Sequence, residues 1–305
     1  MSDTLSLDRS EPLSATGVEW LRPAVRRIIA PNGGPFTFTG TCSYLVGTKT
    51  LAIIDPGPDD TRHLEALLAA IGTATVSHIF VTHTHRDHSP LARPLAELTG
   101  ALIVGCSAHR SARPLNLGEI NPLDASSDQD YAPDQMLVDG DTITGPDWTL
   151  TALDTPGHAA NHVSFALAGE AALFSGDHVM AWSTSIVAPP DGSMGDYMRS
   201  LQKLLGRSET VYWPGHGNPV IDPQRFVRGL LQHRRQREAS ILDRLKAGDR
   251  TIPEIVTHVY TSLAPGLKPA AAHSVFAQLE DMVERGLVLC EGSPVLDGTY
   301  WPNQQ

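Results

Sequence analysis

The chain is organised as short apolar runs, each ended by a turn. "SYLVG", "TLAIID", "SHIFVTH", "ALIVGC", "WTLTALDTPGH", "AALFSGDH" and "VYWPGHG" follow one another between residues 43 and 217. Each is of strand length, rich in β-branched and aromatic residues, and stopped by turn formers. Helical patterns lie between only some of them. In "TRHLEALLAAIG", Leu64, Leu67, Leu68 and Ile71 share one face and Gly72 marks the stop. In "SPLARPLAELTG", Ser89 suits the N-cap and Pro90 the first helical turn. This pattern predicts two sheets with helices outside.

The pattern changes at Asp222. "DPQRFVRGLLQHRRQREASILDRLKAG" reads as one long helix, with Asp222 as cap, Pro223 at the first position and Gly248 beyond the end. Leu230, Leu231, Arg234, Ile241, Leu242 and Leu245 form its stripe. Thr251 and Glu254 have capping-box spacing. A further helix follows in "AAAHSVFAQLEDMVERG", with Ala272, Val275, Phe276, Leu279, Met282 and Val283 at core spacing, and "LVLCEGSPVLDGTYW" reads as a hairpin. Three helices and a hairpin make a winged-helix plan. The expected organisation is therefore an α/β domain over residues 1–222 and a long helix plus winged-helix-like domain over 223–305. A chain of 305 residues has room for both.

Bulk properties narrow the function classes. The formal net charge of −11 argues against broad nucleic-acid or acidic-membrane binding by the whole surface, while leaving room for a local basic groove. Cys42, Cys106 and Cys290 are far apart with no CxxC pair, which argues against a disulfide framework or a cysteine zinc site. Cys42 is expected to be buried and inert. "MSDTLSLDRSEPLS" lacks the basic and apolar regions of a signal peptide, and no run reaches the roughly 18 apolar residues of a membrane span. The expectation is a cytoplasmic protein without a membrane partner.

The unusual residues all fall where strands end. Asp55 follows "LAII"; His83, His85, Asp87 and His88 follow "IFV"; His158 sits in "TPGH", Asp177 in "SGDH" and His216 in "PGHG". Loops leaving strand ends can converge on one edge of a sandwich that holds them rigidly. Gly157, Gly176, Gly215 and Gly217 permit tight turns there. Neutral imidazoles suit zinc, and carboxylates offset its charge. His83, His85 and His158 are placed to hold one ion and Asp87, His88 and His216 a second, with Asp177 bridging. Two Zn2+ are expected, with Mn2+ or Fe as alternatives.

HxHxDH, TPGH, SGD and PGHG in this order resemble the metallo-β-lactamase superfamily over roughly residues 40–220. The resemblance implies an αββα sandwich with a metal site at one edge and the same ligand assignment. It also implies that Asp55 supports a ligand histidine. "SGDHVM", "DYMRSL", "VYWPGHGNPV" and "HRRQREASIL", followed by a winged-helix-like tail, resemble the β-lactamase-like protein 2 group. That group includes single-stranded RNA endoribonucleases and metal-dependent hydrolases. Pro90 departs from the glycine found in many members, which touches the mouth of the site and no ligand.

The expected reaction is hydrolysis by a metal-bridging hydroxide. Asp87 and His178 are the candidate catalytic residues. For His178, proton donation to a leaving group and a structural hydrogen bond both stay open. His162 is expected behind the ligands. The substrate is either single-stranded RNA or a hydrolysable small molecule such as a thioester or lactone, as in glyoxalase II-like enzymes. The resemblance places Asp177 where antibiotic-hydrolysing members usually lack a carboxylate, so little or no true β-lactamase activity is expected. For RNA speak Arg225, Arg228, Arg234, Arg235, Arg237, Arg244, Lys246 and Arg250 along the long helix; the same residues can instead lock the domains together. A non-enzymatic reading, a winged-helix nucleic-acid binder with a structural metal, is disfavoured by Glu280, Asp281 and Glu284, expected on a polar face that repels DNA. A homodimer is a further possibility.

Overall fold

A computed structural model describes residues 5–11, 17–116, 119, 121, 124–261 and 265–303. The first sheet runs in the order β1 (Glu19–Arg22), β2 (Val25–Ile29), β3 (Cys42–Val46), β4 (Thr50–Ile54), β5 (Thr75–Val81), β6 (Leu102–Gly105) and β7 (Gln135–Met136). Pairing is antiparallel as far as β4 and parallel from β4 to β7. The second sheet contains β8 (Thr142–Thr144), β9 (Thr149–Asp154), β10 (Val163–Leu167), β11 (Ala172–Gly176), β12 (Val211–Pro214) and β13 (Val220–Ile221), in the reverse spatial order from β13 to β8.

Alternation along the strands makes the layers. In β12, Val211 and Trp213 join the core between the sheets, while Tyr212 faces the opposite layer. In β11, Ala172 and Phe174 point inward and Leu173 outward. Both faces are covered, so these strands read as continuous apolar runs. Ring contacts weld the sheets: Tyr44 meets Phe174 at 5.0 Å and Phe80 meets Phe165 at 5.1 Å between centroids.

Helices α1 (Thr61–Ile71) and α2 (Ala92–Thr99) add Leu67, Ile71 and Leu95 to the core built with the first sheet. Asp60 caps α1 by accepting from the amides of Arg62 and His63. Helix α2 starts later than its sequence suggests. Ser89 and Pro90 form the turn before it, and Ser89 Oγ donates to Asp128 Oδ2 at 2.7 Å instead of capping. Helices α3 (Met194–Leu204) and α4 (Pro223–Ala247) cover the second sheet with Tyr197, Leu201, Val227 and Leu230. The layers are therefore α, β, β, α, as expected.

Helix α4 is capped by Asp222 and ended by Gly248 in the left-handed conformation. Its first half packs on the second sheet, while Ile241 and Leu245 enter a separate apolar cluster. That cluster holds α5 (Ile252–Val259), α6 (Lys268–Glu284) and the hairpin β14 (Val288–Cys290) and β15 (Tyr300–Pro302). The Thr251–Glu254 capping box is formed. Among the described residues, no helix is long and apolar enough to cross a membrane.

Candidate metal centre

The parallel register of β4, β5 and β6 puts the ends of β4 and β5 at one edge, and β11 and β12, paired in parallel, end at the same edge. Direct contacts join the loops there: Cys42 N donates to Gly215 O, and Gly215 N to Gly176 O, both at 2.8 Å. The site thus sits on rigid strand ends, and its side chains arrive from four loops.

Three imidazoles meet first. His85 Nδ1 lies 3.0 Å from His83 Nε2 and 3.0 Å from His158 Nε2. His158 Nδ1 faces Ile186 O at 2.6 Å, so that nitrogen carries the proton and Nε2 presents a lone pair inward. One shared proton cannot satisfy three convergent nitrogens, whereas a cation can. His216 Nε2 lies 3.1 Å from Asp87 Oδ2, and His88 Nε2 lies 3.5 Å from the same oxygen. Asp177 touches both groups: its carboxylate is 3.5 Å from His88, 3.4 Å from His216 and 3.6 Å from His158. The structure therefore brings together all seven expected side chains. Three sets have ligand atoms within 4.8 Å of one another: His83, His85 and His158; His83, His88 and Asp177; and Asp87, His88 and His216.

The donor set fits divalent metal. His88 Nε2 and Asp177 Oδ1 are buried without a hydrogen-bond partner among the described residues, although they face each other. Such orphaned groups are costly unless something satisfies them. Space is also kept clear: a Cβ on Gly215 would lie 2.3 Å from Asp177 Oδ1 and 2.6 Å from His88 Cε1. Gly176 is at φ +49, and a Cβ there would lie 2.5 Å from His162 Nε2.

A supporting layer orients the candidate ligands. Asp55 accepts from Thr82 N and Thr82 Oγ1, both at 2.8 Å, and faces His88 Nδ1 at 2.9 Å. It reaches all three from a left-handed backbone at φ 50, a conformation aspartate tolerates better than most residues. His83 Nδ1 meets Thr82 Oγ1 at 3.0 Å, and His216 Nδ1 meets Gly40 O at 3.2 Å. Second partners of this kind fix the tautomer of a ligating histidine. His162 holds a ligand by its main chain: its Nδ1 meets Thr155 Oγ1, and its Nε2 accepts from Asp177 N at 3.2 Å. His178 is not brought into the cluster. It is fully buried beside Tyr197, with ring centroids 4.7 Å apart, and neither ring nitrogen has a hydrogen-bond partner among the described residues. Burial, with His158 and Arg234 nearby, lowers its pKa to about 3.

Electrostatics divide the centre. Burial and the His158 ring pull His85 down to about 3, and burial and neighbouring histidines keep His83 neutral as well. Burial also disfavours charge on His216, but Asp177 and Asp87 outweigh it and raise the ring to about 10. His88 is raised for the same reason by Asp87, Asp177 and Asp55. Without metal, one half is neutral imidazole and the other is a network of imidazolium and carboxylate.

Sequence reading missed Arg27, which is 1% exposed. Its guanidinium donates to Glu19 Oε2 at 2.9 and 2.6 Å and to Gly217 O at 2.7 Å. It pins the residue after His216. A basic pair in a strand-length run, "VRRII", with an acid eight positions earlier, was the available signal.

Three arginines of α4 are tied into the fold. Arg234 donates to Ser185 O and lies over Tyr197; Arg237 donates to Val259 O and lies over Tyr260; Arg244 is bidentate to Asp249. Arg225, Arg228, Arg235 and Lys246 lie on the exposed side. Glu280 and Asp281 do not form the open acidic face expected from sequence. Both are largely covered, paired with Arg113 and Arg285.

Comparison with known proteins agrees with this architecture. Residues 36–216 match the metallo-beta-lactamase superfamily, and residues 251–301 match the beta-lactamase associated winged helix domain. A beta-lactamase-like protein 2 homolog of Caenorhabditis elegans is 32% identical, covering 93% of this chain and 90% of its own. An atrochrysone carboxyl ACP thioesterase of Aspergillus terreus is 30% identical over 80% of this chain and 73% of its own. The crystal structure of a metallo-beta-lactamase family protein from Thermus thermophilus superposes with a TM-score of 0.73 at 25% identity, covering 93% of this chain and 100% of that one. With its strand-end loops, its histidine and aspartate cluster and its matched domains, the chain belongs to the metallo-β-lactamase superfamily of hydrolases.

Proposed function

We propose that the chain is a dinuclear-metal hydrolase acting on carbonyl substrates, thioesters foremost. The observation that carries this reading is the position of Asp177, whose carboxylate lies within 3.6 Å of histidines in both halves of the centre. His83, His85 and His158 would hold one ion and Asp87, His88 and His216 the other, with Asp177 within reach of both. Nitrogen and carboxylate donors suit zinc, and they accept manganese or iron. A bound pair of divalent ions would supply Lewis acidity and make water a better nucleophile at neutral pH.

The protein's own groups do the positioning. Asp55 sets the tautomer of His88, Ile186 O that of His158, and His162 holds Asp177 by its amide. His85, Asp87 and His158 are the partly exposed members, so substrate enters on their side. His178, neutral at physiological pH and away from the cluster, serves packing rather than proton donation.

The thioester preference is supported by relatives named as ACP thioesterases and by the engagement of Arg234, Arg237 and Arg244, which leaves fewer cations for phosphates. Single-stranded RNA is the second reading, favoured by the exposed Arg225 and Arg235. A panel of acyl thioesters, lactones, β-lactams and single-stranded RNA separates them, with His83→Ala as control. Thioester turnover lost in the control is expected. RNA cleavage lost in the control, with no carbonyl turnover, selects the second reading. Turnover equal in both proteins refutes a metal hydrolase.

A further inference from the structure

We propose that residues 107–116 form a strap through which the winged-helix portion sets the wall of the metal pocket, and that Arg113 and Glu280 are its positioning residues. At one end the strap meets the loops of the centre. His109 Nδ1 lies 3.4 Å from Thr84 Oγ1, between ligands His83 and His85 in sequence. Arg110 donates to Ala160 O at 2.6 Å, two residues after His158. Ser111 donates to Asp191 Oδ1 at 3.0 Å, and Ala112 N to Pro190 O at 2.8 Å. Asp191 is 1% exposed and also accepts from Asn121 Nδ2 and Ser127 Oγ.

At the other end the strap is tied to α6 and its hairpin. Arg113 donates to Glu280 Oε1 from Nε at 2.9 Å and from Nη2 at 2.6 Å. The same guanidinium donates to Glu119 at 2.6 and 2.8 Å. Asn116 Nδ2 donates to Pro294 O, between β14 and β15, at 3.1 Å. A planar fork divided between two carboxylates fixes direction as well as distance, which a lysine cannot do. This gives Glu280 of α6 a role other than repelling nucleic acid: it receives the strap. Contiguity alone does not establish coupling between sites, so a perturbation has to be shown to travel.

The claim that the strap shapes a substrate pocket rests on the hydrolase reading, but its decisive test needs no substrate. Amide hydrogen exchange is measured on the metal-loaded full chain. Arg113→Ala is expected to speed exchange across residues 107–112 by about tenfold, the scale of losing charge-assisted hydrogen bonds. Exchange in β10, bound metal and the Glu284→Ala control are expected to match wild type. Glu280→Ala acts in the same direction but less, because Glu119 still holds Arg113, and the double variant is no faster than Arg113→Ala. Glu280→Gln, which keeps the shape, covers the case in which Arg113→Ala fails to fold. Wild-type exchange over 107–112 in these variants, or loosening confined to residues after 112, overturns the strap and leaves the hydrolase reading untouched. A second arm uses an acyl thioester of N-acetylcysteamine, followed by thiol release. There Arg113→Ala is expected to raise KM severalfold with kcat nearly unchanged; a fall in kcat alone contradicts a positioning role.

Discussion

Replacing Asp55 with asparagine isolates one hydrogen atom. The carboxylate is 2% exposed and serves Thr82 N, Thr82 Oγ1 and His88 Nδ1. Asparagine can keep the first two contacts: its oxygen accepts from Thr82 N, and its amide donates to Thr82 Oγ1. Toward His88 it can offer only a donor, so His88 Nδ1 becomes the acceptor and the ring proton moves to Nε2. That nitrogen faces Asp87 and Asp177 and is the one required for ligation. One hydrogen bond to a charged group is lost, about 1.5–3 kcal/mol, which corresponds to roughly 10- to 100-fold in affinity. Losses of this size are usual for groups behind a metal ligand. Metal affinity is measured by competition with a chromophoric chelator, and folding by urea titration. Asp55→Asn should weaken one of two metal-binding steps by about 10- to 100-fold while the other stays near wild type. Two wild-type binding steps in Asp55→Asn would refute the tautomer argument.

Other predictions follow from the same geometry. Gly215→Ala should retain the fold by circular dichroism and lose bound metal, because its Cβ meets Asp177 and His88 at 2.3 and 2.6 Å. Arg27→Met should cost about 3 kcal/mol in urea unfolding, since Glu19 and Gly217 O lose their buried partner; an unchanged midpoint contradicts this. In the metal-free protein His88 and His216 are protonated at pH 7, so metal uptake there should release about two protons, read by calorimetry in buffers of different ionisation enthalpy. His216 has a folded pKa near 10, above its unfolded value. Its pairing therefore stabilises the metal-free protein fully below about pH 6.5, and this contribution fades as pH rises toward 10, measurable as a falling urea midpoint.

The strands that carry ligands were legible because each ends in a turn with a histidine or aspartate, and a sandwich collects such ends at one edge. Strand β2 was not, because Arg27 makes "VRRII" look half polar; Glu19, on the neighbouring strand β1, pairs with its charge, and Gly217 O, from a distant loop, takes a further hydrogen bond. Strand β10, "VSFAL", was also missed: Ser164 interrupts its apolar run, and only the fold shows that this serine is buried and meets Thr155 Oγ1 at 2.8 Å. Ser89 followed by proline looked like a helix start, but a tertiary partner, Asp128, takes its hydroxyl. The face of α6 was misjudged for a similar reason, since Glu280 finds Arg113 across 167 positions of sequence. Local pattern recovered most of the elements and the histidines and aspartates that the fold gathers at one edge. Long-range polar pairing decided the rest.

Metal content bears most directly on the central claim. Elemental analysis of freshly purified protein, never exposed to chelator, should give about two divalent ions per chain, as expected for a two-metal site with one shared carboxylate. The same sample should lose thioester hydrolysis on chelation and regain it on metal return. Fewer than one ion per chain, or hydrolysis indifferent to chelation, contradicts the account.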